Sequence, residues 1–143
     1  MSTATLLALF VSAYALTGVA LGGAIVLGIK RHVPGHVKAV VAFVVGFAIT
    51  IAFAVALGLR LSFEPEIMRI HRMLATSGTV LMLAPIVTGI RRYRTSGSLA
   101  VHRVAVVTFL LVFTGASVTG GMMLATGKPR DGTAGVAATT SGS

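Results

Sequence analysis

Four histidines are the residues best suited to chemistry: His32 and His36 bracket Pro34-Gly35, while His71 and His102 open long apolar runs. The chain has no cysteine. Thiolate ligands and covalent CxxCH haem attachment are therefore excluded, and metal chemistry has to rest on His, Met or carboxylate. Phe43 and Phe47 follow His36 by seven and eleven residues, Phe109 and Phe113 follow His102 at the same offsets, and Ala54 and Gly120 lie eighteen residues on. At about 100° per residue, those offsets return to within about 20° of the histidine's own direction. Two helices thus carry one matching face: an imidazole at the mouth, two aromatic rings a turn apart, and a small residue deeper in.

Bis-imidazole ligation of a b-type haem asks for two neutral rings at equal depth, apolar walls and room for a flat macrocycle. The expected site has His36 and His102 as iron ligands and Phe43, Phe47, Phe109 and Phe113 as walls. Lys38 and Arg103, with Arg31, Arg92 and Arg94 nearby in sequence, suit the propionates. The plainer reading of the same residues is apolar core for the phenylalanines and headgroup-level placement for the histidines.

His71 falls on the opposite side of the membrane, after Glu64, Glu66 and Met68. Three roles fit it: a second haem ligand opposite Met122 or Met123, a proton-exchange or quinol contact beside a carboxylate, or a surface ion pair. His32 stands four residues before His36, but Pro34 between them belongs in a first helical turn. His32 should then precede the helix and serve only as a fallback ligand.

These residues need helices to position them. The chain has 143 residues, 55% hydrophobic and 10% charged, with a mean hydropathy of +0.95, which no water-exposed surface carries. A span takes about 20 residues, so there is room for about four. Apolar stretches place helices at about 6–29, 37–59, 72–90 and 102–125. Breaks fall at Val33-Pro34-Gly35, Glu64-Pro65-Glu66 and Thr95-Ser96-Gly97-Ser98. The expected fold is all-α: an integral membrane four-helix bundle, up-down-up-down, occupying 1–126. A Thr/Ala/Gly/Ser tail over 127–143 is expected to be disordered. Pro85 should kink the third span. Gly18 and Gly22 in the first span, and Ala42, Gly46, Thr50, Ala54 and Gly58 in the second, are small residues at helical spacing that suit close helix contact or a flat cofactor.

The net charge of +9 would suggest nucleic acid in a soluble chain. Here the bases lie between apolar runs, so they indicate orientation and the partner is the lipid bilayer. Lys30, Arg31, Lys38, Arg91, Arg92, Arg94 and Arg103 carry no neighbouring acid and mark the first and third connections as cytoplasmic, with both termini outside, in a bacterial inner membrane. P-loop, dinucleotide-binding, Ser/His/Asp and HExxH patterns are absent, which leaves hydrolase and NTPase readings unsupported. Spans without a midplane carboxylate or Lys count against an ion-coupled carrier.

The chain resembles the small four-helix membrane cytochromes b of the cytochrome b561 type. The likeness is carried by Arg31-His32 to Gly35-His36, by Ile70-His71-Arg72-Met73-Leu74 to Gly78, and by His102-Arg103 with Phe113-Thr114-Gly115. It is also similar to a group of uncharacterised four-helix bacterial membrane proteins with this histidine placement. The b561 resemblance implies haem b (one, or two if His71 finds a ligand partner) and electron exchange with quinone or quinol, or with a redox subunit of a larger membrane complex, as an oxidoreductase component. Without a histidine in the first span, only the His36/His102 pair matches. The competing expectation is a cofactor-free structural or assembly subunit that packs against a partner complex or a second copy of itself.

Overall fold

The computed structural model describes residues 1–95 and 97–130. The elements in order are α1 (Thr3–Ile29), α2 (Val33–Gly58), the two-residue strand β1 (Leu61–Ser62), α3 (Pro65–Leu81), α4 (Leu83–Thr95), α5 (Leu99–Thr126) and β2 (Lys128–Pro129). Four helical segments are long and apolar enough to cross a membrane: Thr3–Ile29, Val33–Gly58, Pro65–Thr95 and Leu99–Thr126. The all-helical class and the four spans agree with the sequence. Of the tail expected from 127 onward, 131–143 lies outside the described residues.

α1, α2 and α3 begin ahead of their apolar runs, and the residues at their starts explain why. The Ser2 hydroxyl accepts the Thr5 N–H, the His32 ring accepts the Gly35 N–H, and Pro65 sits in the first turn of α3, where its missing donor costs nothing. Hydropathy marks the band that meets lipid; capping marks where the helix starts. His71 therefore lies in the second turn of α3 and does not open it. The third span breaks at Met82, between α3 and α4. Pro85 lacks an N–H, and its ring crowds the carbonyl four residues earlier, that of Leu81, so the expected kink takes the form of an interruption.

Between α1 and α2 the chain turns in three residues. The Arg31 N–H donates to the Gly28 carbonyl at 3.2 Å and the His32 N–H to the Leu27 carbonyl at 3.0 Å, the paired bonds of a Schellman ending. Arg31 occupies the left-handed position, with φ 57°, where glycine is usual.

The helices fall into two compact units, residues 1–62 with the segment from 129, and residues 63–128. In the first, α2 lies antiparallel on α1, and a hydroxyl pair joins them at mid-height. Thr17 Oγ1 and Thr50 Oγ1 are 3.2 Å apart, on residues 1% and 6% exposed. Each hydroxyl also lies within hydrogen-bond reach of a carbonyl of its own helix, Thr17 2.7 Å from Ala13 and Thr50 2.9 Å from Gly46, and with one proton apiece one of the two donates across to the other while its partner donates within its own helix. Gly46 makes the approach possible, because a Cβ there would stand 2.7 Å from Thr17 Oγ1. The small-residue row of the second span is thus used, at Gly46 and Thr50, to seat another helix. Gly18 and Gly22 are not used in this way, since a Cβ on either would meet nothing within 4 Å. At the far end of the hairpin the Arg60 guanidinium donates to the Met1 carbonyl, and the Arg130 N–H donates to the Arg60 carbonyl.

In the second unit α5 lies antiparallel on α3 and α4. Its middle is apolar: Gly78 faces Val112, and Gly115 faces Leu74. Across both units few side chains are fully buried, among them Leu6, Phe43, Leu57, Phe109 and Met123, while Leu16, Val19, Val55, Val104 and Leu111 are exposed. Outward aliphatics on helices with satisfied backbones are the surface that acyl chains solvate.

Candidate functional site

Three histidines inside helices are held in one manner. His36, on α2, leans on α1: its Nδ1 lies 2.7 Å from the Ala24 carbonyl, and the ring packs where Gly28 has no side chain. A carbonyl can only accept, so the His36 Nδ1 carries the proton. His71, on α3, leans on α5, with Nδ1 3.1 Å from both the Ala116 carbonyl and Thr119 Oγ1, and its ring lies over Gly120. His102, on α5, leans on α4, with Nδ1 3.1 Å from Thr88 Oγ1 and its ring over Gly89. The Thr88 hydroxyl proton is committed to the Ala84 carbonyl at 2.7 Å, so Thr88 accepts from His102. In all three, Nδ1 is the donor and so carries a ring proton.

His32 differs. It is the N-cap of α2 and is solvent-exposed, and its Nδ1 accepts the Gly35 N–H at 3.2 Å. That contact occupies the Nδ1 lone pair and puts the ring proton on Nε2. Its place ahead of the helix is the one the Pro34 argument expects.

The aromatic residues stack along their own helices. Phe43 and Phe47 have ring centroids 5.7 Å apart at 17°, and Phe109 and Phe113 have theirs 5.6 Å apart at 34°. Phe43 and Phe109, seven residues after their histidines, are 4% and 3% exposed, and Phe47 and Phe113 are half-buried. Lys38 and Arg103 are exposed. His36, Phe43, Phe47 and Lys38 belong to the first unit, and His102, Phe109, Phe113 and Arg103 to the second. Among the described residues, no three His, Asp or Glu side chains are grouped to hold a metal ion. Nδ1 of each of these three imidazoles is directed at a fixed oxygen, the kind of outer-shell support that would suit a histidine ligating haem through its other nitrogen.

Apart from Gly120, which stood out as a small residue on the His102 face but meets His71 instead, the residues that hold the imidazoles were not among the expected ones. Gly28, Gly89 and Gly120 admit the rings, and Thr88 and Thr119 accept their protons. A sequence trace of them exists. His71-Arg72 is followed by Val87-Thr88-Gly89, and His102-Arg103 by Val118-Thr119-Gly120, with the same spacing in both spans. Because the spans are antiparallel, each histidine meets the Thr-Gly of the other. Comparison of the chain with protein-family models, with curated proteins and with solved structures gave no match.

Proposed function

We propose that this is a membrane electron-transfer protein that holds one noncovalent b-type haem, with His36 and His102 as axial ligands, and exchanges electrons with quinone or quinol or with a partner redox subunit. The observation that carries the reading is the shared tautomer: an Nδ1–H bonded to a fixed oxygen is the usual outer-shell support of a metal-ligating histidine. The bound haem supplies a one-electron iron couple. The chain's own residues do the rest. His36 and His102 present Nε2; Phe43, Phe47, Phe109 and Phe113 keep water from the ring edges; Lys38 and Arg103, exposed and close in sequence to the two ligands, suit the propionates. In this reading the spans run up-down-up-down in a bacterial inner membrane, with both termini outside and the base-rich first and third connections cytoplasmic.

The test is a dithionite-reduced minus air-oxidised spectrum of the detergent-purified protein, with a pyridine haemochrome count. One haem per chain with a sharp reduced α-band is expected. His36→Ala and His102→Ala should each abolish it, whereas His71→Ala should retain it. Haem kept in His36→Ala would overturn the ligand assignment.

A second reading has its own support, because each imidazole also bonds across a helix interface, as polar side chains do when they only join helices. A colourless protein from haem-replete cells would favour this reading, that of a cofactor-free structural or assembly subunit.

A further inference from the structure

The geometry points to His71, which the haem reading leaves unused, as the contact for a lipid-soluble quinol or quinone on the α3–α5 face of the second unit. The inference rests on the proposed function for its choice of partner and on the surroundings of one ring nitrogen for its content. The His71 Nδ1 stands 3.1 Å from the Ala116 carbonyl, which can only accept, so Nδ1 donates and is committed within the unit. Thr119 Oγ1 lies at the same 3.1 Å, its own proton within reach of the Gly115 and Ala116 carbonyls at 3.0 and 3.1 Å. Nε2 is different. Among the described residues nothing bonds to it, and none of their side-chain nitrogens or oxygens is both buried and unpartnered, so Nε2 reaches the surface of the chain. It is the ring nitrogen left for an outside partner: it accepts from a hydroxyl when the ring is neutral and donates to a carbonyl when the ring is protonated. A quinol and its quinone are that pair of partners, presenting hydroxyls or carbonyls on one flat ring.

Depth narrows the class of ligand. His71 follows Pro65, the first residue of α3, by about 9 Å along the helix axis at about 1.5 Å per residue. Glu64, Glu66 and Arg69 lie nearer the helix start, and Arg72 is the last charged residue of α3. At this level the exposed side chains include Ile70 and Met73 on α3 and Met122 on α5. Acyl chains carry no hydrogen-bond donor or acceptor, so lipid leaves Nε2 unsatisfied, and a ligand that satisfies it must dissolve in lipid and bring its own polar atom. The helix beside the ring is bare. A Cβ on Gly120 would stand 3.1 Å from His71 Cε1 and 3.9 Å from Nε2, and Gly121, the next residue, is exposed with nothing within 4 Å of where a side chain would begin. A planar headgroup can therefore lie against α5 with one oxygen at Nε2 and its tail among the acyl chains, the usual pattern of an apolar surface with a single orienting polar group.

The experiment is 15N NMR of the histidine-labelled full-length protein in phosphatidylcholine nanodiscs, held anaerobically under dithionite so that quinol stays reduced. The His71 signals are assigned by their loss in His71→Gln. A short-chain ubiquinol is titrated in, and in parallel its dimethyl ether, which keeps the ring and tail and has no hydroxyl proton to give. The quinol should shift the His71 Nε2 resonance saturably, and the ether should bind about 5- to 10-fold more weakly, as loss of one hydrogen bond predicts. Gly121→Leu, which covers the bare face of α5, should weaken the quinol by at least as much while the Nδ1–H signal of His71 stays in place. An Nε2 resonance that does not move, one moved equally by the ether, or quinol binding unchanged in Gly121→Leu would overturn the inference. The haem reading is scored separately, by the reduced visible spectrum of the same nanodiscs. A colourless chain whose His71 answers the quinol would remove the haem reading and leave the quinol site; a chain with one haem whose His71 ignores the quinol would do the reverse.

Discussion

The two helical units solve the problem of holding apolar helices together in different places. The first concentrates its polar contact at mid-height, in the buried Thr17–Thr50 pair, and adds one histidine near the α1–α2 turn. The second has an apolar middle, with Gly78 on Val112 and Leu74 on Gly115, and places its polar contacts toward its two ends, at His71 with Thr119 and at His102 with Thr88. Lipid gives no hydrophobic reward for helix association, so these few polar bonds and close approaches define the register. A central pair fixes one height and leaves the ends to the turn. Two separated contacts fix both ends and leave the middle tolerant.

Substitution of the central glycines should break this contrast most visibly. Gly46→Ala forces a Cβ onto the buried Thr17 hydroxyl and should cost about 1–3 kcal/mol, as overpacking does. Gly78→Ala, where the new Cβ would meet Val112 Cγ1 at 3.6 Å, should stay within about 0.5 kcal/mol. Unfolding in detergent with increasing SDS, followed by helicity, measures both; equal losses would dissolve the distinction. Next in size is Thr17→Val, which keeps the shape and removes the central bond. Interhelical bonds of this kind are worth about 0.6 and at most about 1.7 kcal/mol, so a loss in that range in the same assay is expected. The smallest effect concerns the turn that supports His36. Arg31→Gly relieves a left-handed arginine and should gain about 0.5 kcal/mol after glycine's larger entropy loss is counted. A destabilised Arg31→Gly would mean the side chain itself has a structural role at the turn.

Much of the architecture was legible because hydropathy reports on lipid contact directly. Uncharged runs gave the four spans, and Pro34, Pro65 and the Ser96–Ser98 region gave their separations. Helix starts were not legible from that signal, since Ser2, His32 and Pro65 begin helices through hydrogen bonding and backbone geometry and carry no hydropathy contrast. The break at Pro85 followed from a missing donor and was readable at once. The histidine supports were harder. Matching the second span to the fourth, which share a base-rich opening, drew attention to His36, His102 and the phenylalanines. The roles of Thr88, Gly89, Thr119 and Gly120 emerge only when the third and fourth spans are aligned and then set antiparallel, so that each histidine meets the residues seventeen and eighteen positions along in the other copy of the repeat.

That repeat has a consequence for how the second unit enters a membrane. A hairpin in which each strand offers His-Arg at its start and Thr-Gly toward its end packs equally well when turned over, so packing supplies no sense of direction. A charge bias for orientation lies in what the repeat does not duplicate: Arg91, Arg92 and Arg94 about the α4–α5 turn, against Glu64, Glu66 and Arg69 at the opposite end. By the positive-inside rule the arginines of that one short turn are expected to act as the compass of a segment otherwise nearly palindromic in space, so neutralising them should reduce the bias toward one sense of insertion.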